Sequence, residues 1–161
     1  MGEWVIRKIH QKDNAKVASL IRAILLDMGV PKVGTAYEDK ALDNMYLEYD
    51  KAKSNYFVAE KGEEILGCAG IAPLQGAEEN VSELQKMYVA QEARGQGVAQ
   101  KLMEACLGAA KDFGFESCYL ETMPYMTAAH RLYEKSGFQF IEERLGDTGH
   151  YSCPIFMLKK L

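Results

Sequence analysis

Polar and apolar positions along the chain sort it into alternating short strands and amphipathic helices. Trp4 to Ile9 alternates with the period of a half-buried strand. Asp13 is placed to cap the helix that follows, in which Val17, Leu20, Ile21, Ile24 and Leu25 recur at helical spacing. Gly29 and Pro31 end it. After a looser segment, Val33 to Thr35, a second helix is predicted from about Glu38 to Tyr49, with Leu42, Met45, Tyr46 and Tyr49 on one face. Tyr56 to Glu60 and Ile65 to Pro73 read as a hairpin about Lys61-Gly62. An acidic loop, Gln75 to Asn80, leads into a strand from Val81 to Val89.

Beyond that strand the pattern turns helical again. Val98 to Phe113 carries an apolar stripe of Val98, Leu102, Cys106, Ala109 and Phe113, closed by Gly114. Ser117 to Glu121 is a strand, and Thr127 to Ser136 a helix that Gly137 ends as a C′ residue. Phe138 to Ile141 and Ile155 to Lys159 are the last strands, around the loop Gly146 to His150. The order is β-α-α-β-β-β-α-β-α-β-β. Hairpins imply antiparallel neighbours, whereas the strand-helix-strand passage from 81 to 121 implies a parallel pair in the middle. The expectation is α/β in class: one mixed sheet with helices on its faces, in a single domain spanning residues 1–161.

Composition narrows the partners more than the fold. The 161 residues are 48% hydrophobic and 26% charged, an ordinary globular mixture. Net charge is −4, which argues against coating nucleic acid or an anionic membrane. The longest stretch free of Asp, Glu, Lys and Arg, Ile65 to Ala77, has 13 residues, too few for a spanning helix. Glu3, Arg7 and Lys8 interrupt any signal-peptide core. Cys68, Cys106, Cys118 and Cys153 are scattered, with no C-x-x-C; they read as reduced thiols of a cytoplasmic protein, with no metal implied.

The segment Arg94-Gly95-Gln96-Gly97-Val98-Ala99 joins a strand to the start of a helix. A helix start leaves unpaired N–H groups that favour an anion. Gly95 and Gly97 let backbone approach a ligand closely, and Arg94 adds a planar donor fork suited to phosphate. The Walker pattern G-x-x-x-x-G-K-[ST] is absent, and Gln100 stands where a dinucleotide fingerprint needs a small residue. What remains is R-x-x-G-x-A.

With that loop in place, the chain resembles the GNAT superfamily of acetyl-CoA-dependent N-acetyltransferases, in which Q/R-x-x-G-x-G/A binds the pyrophosphate of acetyl-CoA. Ala129 to Phe138, AHRLYEKSGF, is similar to the family's A-x-x-L-Y-E-K-x-G-F helix, and Glu83 to Ala90 to its central strand. The resemblance runs from Val5 to Leu158 and is strongest from Glu83 to Phe138. It implies a mostly antiparallel sheet whose central parallel pair is splayed, with helices on both faces. It also implies that Met87, Tyr88 and Val89 offer backbone groups to the pantetheine arm, and that an N–H of Tyr88 or Val89 holds the thioester oxygen. A homodimer is compatible with it.

Direct transfer to an amine in a ternary complex needs a proton acceptor, an oxyanion donor and a donor for the departing thiolate. A lysine-like amine, pKa about 10.4, is neutral in only about one molecule in 2,500 at pH 7. A carboxylate near it is a natural acceptor. The resemblance implies Tyr133 as the thiol-side acid; by pattern alone it is a core tyrosine beside Leu132. Glu83 is the base candidate, since some family members carry a glutamate on this strand; a solvated carboxylate where the strand begins is the other reading. His150 is a second candidate base, and a His150–Cys153 pair is conceivable. His130 is expected to face solvent. Cys68, Cys106 and Cys118 are explained by packing, without a nucleophilic role.

The acceptor side is expected to involve Val33, Tyr37, Glu38, Asp39, Tyr125, Met126 and the loop Gly146 to His150. A small amine or amino-acid-like acceptor is the preferred expectation, with a peptide N-terminus or protein lysine second. A non-catalytic CoA-sensing module is the reading from another class; it would dispense with Tyr133 and a base.

Overall fold

The computed structural model describes residues 3–30, 32–33, 36–124, 126–148 and 154–161. Tyr125, His150 and Cys153, singled out from the sequence, lie outside the described residues. Seven strands form one sheet in the order β1-β2-β3-β4-β5-β7-β6: β1 Val5–Lys8, β2 Asn55–Lys61, β3 Glu64–Pro73, β4 Val81–Val89, β5 Ser117–Thr122, β6 Gln139–Ile141 and β7 Ile155–Lys160. All pairings are antiparallel except β4–β5, the parallel pair at the centre. The helices are α1 Asn14–Asp27, α2 Met45–Glu48, α3 Val98–Asp112 and α4 Thr127–Lys135.

Strand alternation divides the core into two layers. On β2, Tyr56 and Val58 face one side, while Phe57 and Ala59 face the other. The first side is covered by Val17, Ile21 and Leu25 of α1 and by Met45 of α2. The second is covered by Val98, Leu102, Met103, Cys106 and Ala110 of α3, joined by Tyr133 of α4. Helices therefore lie on both faces, as the sequence predicts.

The splay is explicit in the register. β4 pairs with β5 only at Val81↔Ser117, Ser82↔Cys118 and Glu83↔Tyr119, then continues to Val89 without β5 beside it. On its other edge β4 pairs with β3 through a register shift, Cys68↔Tyr88 on one side and Gly70↔Gln85 on the other. Lys86, inside the shift, has φ +48°, a left-handed conformation uncommon for a side chain of this size.

Three local expectations are corrected. The helix predicted from Glu38 to Tyr49 is broken into 3-10 turns at Ala36–Glu38 and Lys40–Asn44 and the single α-turn α2. Asp39 accepts the Ala41 N–H at 2.9 Å and Asn44 the Leu47 N–H at 3.2 Å, so short polar side chains restart the backbone instead of continuing it. Asp13 does not cap the N–H groups of α1; its carboxylate accepts from Arg7 at 2.7 Å and from the His10 N–H at 2.7 Å. His130 faces solvent only in part: it stacks edge-on against Phe140 at 5.7 Å, with Nε2 buried and without a partner among the described residues.

Candidate active site

A cleft of about 660 Å³ opens where β4 leaves β5, within the range of small-ligand sites. Its walls come from the end of β4, the loop after it, the first turn of α3, and α4. Of the residues singled out from sequence, Met87, Tyr88, Val89, Arg94, Gly95, Gly97, Val98, Ala99 and Tyr133 line it. Gln96 does not; its side chain turns back to the Glu92 carbonyl at 3.1 Å. Met126 lines the cleft as expected, whereas Val33, Tyr37, Glu38 and Asp39 do not. Sequence reasoning missed Ile24 and Met28, which reach the cleft from the far end of α1. Their apolar periodicity marks a core face and carries no sign of a ligand.

The loop is built to present backbone. Ala90 starts a 3-10 turn, Gln91–Ala93, in which the Ala93 N–H bonds the Ala90 carbonyl at 3.0 Å. Gly97 is the N-cap of α3 with φ +83°, a conformation that a Cβ would strain. Lys101, bonded to the Gly97 carbonyl at 3.1 Å, begins the helical ladder, so the amides of Val98, Ala99 and Gln100 precede it and project from the helix end. A Cβ on Gly95 or Gly97 would meet nothing within 4 Å, so the approach to these amides is open.

Tyr133 stands on the opposite wall. It is 8% exposed, its ring meets Phe138 edge-on at 6.1 Å, and its hydroxyl has no partner among the described residues. Burial pushes its pKa up to about 12, which keeps the hydroxyl protonated. The cleft therefore has a protonated, mostly buried hydroxyl in its wall.

Glu83 lies at the last β4–β5 pair, four positions before Met87, and is not part of the cleft wall. Far from being solvated, it is 3% exposed. Burial pushes its pKa up to about 7, against the opposing hydrogen bond from Gln85; the charge of Glu121 adds to the rise and Lys86 subtracts. Gln85 Nε2 donates to Glu83 Oε1 at 2.6 Å, and the Tyr49 hydroxyl donates to Gln85 Oε1 at 2.6 Å. A carboxyl poised near 7 beside a splayed strand can exchange a proton at neutral pH.

A tyrosine pair fixes this part of β4. Tyr49 and Tyr56 lie 4.8 Å apart by ring centroid, and the Tyr56 hydroxyl donates to the Lys86 carbonyl at 2.7 Å. One hydroxyl thus holds Gln85 and the other holds the left-handed Lys86. Both rings need Gly70, where a Cβ would fall 2.6 Å from Tyr56 and 2.8 Å from Tyr49. The three described cysteines, Cys68, Cys106 and Cys118, are buried free thiols, and burial raises the pKa of each, to about 12 for Cys68 and Cys118. They are packing groups, as expected.

A splayed parallel pair, a glycine loop feeding a helix N-terminus, and a cleft between them define an acyltransferase of the GNAT type. The chain belongs to the acetyltransferase (GNAT) family, whose sequence profile matches residues 21–138. It is 39% identical over 158 residues, 98% of its length and 95% of the other's, to YjgM of Escherichia coli (strain K12), named as an uncharacterized N-acetyltransferase. Its fold is similar to that of a GNAT-family acetyltransferase from Staphylococcus aureus Mu50, with TM-score 0.86, 20% identity and 99% of both chains covered. It is also similar to the PaiA N-acetyltransferase of Thermoplasma acidophilum, crystallised with coenzyme A, with TM-score 0.77, 16% identity and 99% of both chains covered. The protein is an acyltransferase that uses acetyl-CoA. The site fits that ligand, because the open amides of the α3 N-terminus suit a pyrophosphate and the apolar walls from Met87, Val89 and Ala129 suit a thioester arm.

Proposed function

We propose that the protein transfers the acetyl group directly to a primary amine held beside the thioester in a ternary complex. The acceptor is a small amine or an amino-acid-like molecule. Acetyl-CoA supplies an activated acyl group; everything else falls to the chain. In this reading Arg94 and the amides of Gly95 to Ala99 bind the pyrophosphate. The end of β4 at Met87, Tyr88 and Val89, beyond its pairing with β5, orients the thioester arm. Glu83 accepts the amine proton, directly or through a water, and Tyr133 donates its hydroxyl proton to the departing thiolate.

The observation that carries the reading is the contrast between two buried groups flanking the splay. Glu83 sits near 7 and is ready to take a proton. Tyr133 sits near 12 and is ready to give one. Environments that push two titratable groups to opposite tasks are what an acid–base pair requires. A module that only sensed CoA would need neither. The three buried free thiols fit a cytoplasmic, reducing setting.

The test is release of the CoA thiol from acetyl-CoA against polyamines, amino acids, aminoglycosides and short peptides, with products identified by mass. Turnover on small amines supports the reading. Turnover on peptides alone moves the acceptor to the protein class. Silence with acetyl-CoA still bound moves the protein to the sensing class.

A further inference from the structure

Two residues beyond the last β4–β5 pair, β5 carries a second buried carboxylate, Glu121, on the same face as Tyr119 and in the gap left by β4. Its side chain is 1% exposed. Arg144 Nη1 donates to both its oxygens at 3.2 and 3.3 Å, Thr148 Oγ1 donates to Oε1 at 2.6 Å, and the Tyr119 hydroxyl donates to Oε2 at 2.6 Å.

These contacts belong to the segment that follows β6. Arg144 lies over the ring of Phe156 at 5.0 Å, and Phe156 pairs with Glu121 across β5–β7. The Tyr119 hydroxyl also accepts the Leu145 N–H at 3.3 Å. Further along, the Asp147 N–H bonds the Gln75 carbonyl at 2.6 Å, tying the segment to the turn between β3 and β4. Residues 144–148 are thus stitched to β5 and to the approach of β4, and Glu121 is the knot.

We infer that Glu121 is a positioning residue: its buried carboxylate docks residues 144–148 against β5, beside the gap left by β4, and so shapes the acceptor's approach to Glu83. This rests on the reading of Glu83 as the base. A buried carboxylate that lost its partners would be costly, so Arg144, Thr148 and Tyr119 each help to hold the arrangement. Among the described residues, the groups that act on Glu83 are Gln85 and Lys86 on its own strand, Tyr49 just after α2, Cys118 on β5 beside its register partner Tyr119, and Glu121. Tyr49, Tyr119 and Cys118 are held neutral by burial, so the charges that act on Glu83 are Glu121 and Lys86. Removing the Glu121 charge takes away a like charge, which favours the ionised Glu83.

The experiment needs no acceptor. Isotope-edited infrared titration follows the carboxyl band that disappears in Glu83→Gln, and amide hydrogen exchange follows Leu145 and Asp147. If no such band titrates near 7 in the unaltered protein, the base reading fails whatever Glu121 does. With the band in place, Glu121→Gln is expected to move it to lower pH and to speed exchange at both amides by about tenfold or more, while β2 amides keep their rates. Thr148→Val, a milder change at the surface of the knot, is expected to speed the same two amides. An unmoved band in a folded Glu121→Gln, or unchanged exchange at both amides in Thr148→Val, overturns the inference.

Discussion

Gln85 Nε2 lies 2.6 Å from Glu83 Oε1, and that bond is what keeps a buried carboxylate ionisable near neutrality. Burial alone would drive the group further up; the amide donor holds it back. Gln85→Leu removes a donor that favours the charged form, so the pKa of Glu83 is expected to rise above about 7. The acid limb of the rate profile then moves to higher pH. Rate against pH in this variant, compared with the unaltered protein, checks the direction.

The same burial carries a stability cost. The folded pKa of Glu83, about 7, lies above its ordinary 4.5, so between those values the folded state binds more protons than the unfolded one. Stability from this group is therefore full below about 4.5 and is lost as pH rises through about 7, a loss on the order of 3 kcal/mol. Glu83→Gln is expected to unfold at higher denaturant than the unaltered protein at pH 8, and the gain is expected to shrink at pH 5. Urea midpoints at the two pH values test it.

In the proposed reaction Tyr133 donates late and does not hold the ligand by its hydroxyl. Tyr133→Phe is expected to cut kcat by about 100-fold or more, in the range of a lost general acid. Calorimetry should find acetyl-CoA affinity within about twofold, because the ring and its contact with Phe138 remain.

Arg94 and Gly97 act at the other end. Arg94→Ala is expected to weaken acetyl-CoA binding about tenfold, and to flatten its dependence on salt, since an exposed cation contributes mainly through screened charge. Gly97→Ala forces a Cβ at φ +83° and is expected to weaken binding with a loss of about 1 kcal/mol in stability. Titration calorimetry and thermal unfolding separate the two effects.

Gly70→Ala tests the support beneath the site. The added Cβ would collide with both Tyr49 and Tyr56, displacing the hydroxyls that hold Gln85 and Lys86. Overpacking of this kind costs about 1–3 kcal/mol. Activity should fall by more than the lost stability accounts for, as seen by assaying well below the unfolding temperature.

Local periodicity carried most of the architecture. Alternation on Tyr56 to Glu60 and the stripe on Val98 to Phe113 each reflect burial against one neighbour, so sequence and structure agree there. The predicted helix after Glu38 failed because apolar spacing does not register the competition from Asp39 and Asn44 side chains. The glycine loop was legible because φ near +80° and backbone access demand glycine itself. What could not be read was long-range. Lys86 adopts its left-handed turn because Tyr56, 30 residues away, bonds its carbonyl. Glu83 reads as an exposed acid until β5 and Tyr49 close over it, and Glu121 gains its role only from the segment at Arg144 to Thr148. Ile24 and Met28 belong to the cleft solely through where α1 ends.

The most direct measurement is the pH dependence of CoA thiol release, with the amine that the acceptor panel identifies, in the unaltered protein and in Glu83→Gln. The proposed role of Glu83 requires a rate that rises through about 7 in the first, and in the second a loss of about 100-fold or more with that limb gone and acetyl-CoA still bound. An unchanged rate and profile in Glu83→Gln would contradict it and return the proton to solvent or to another group.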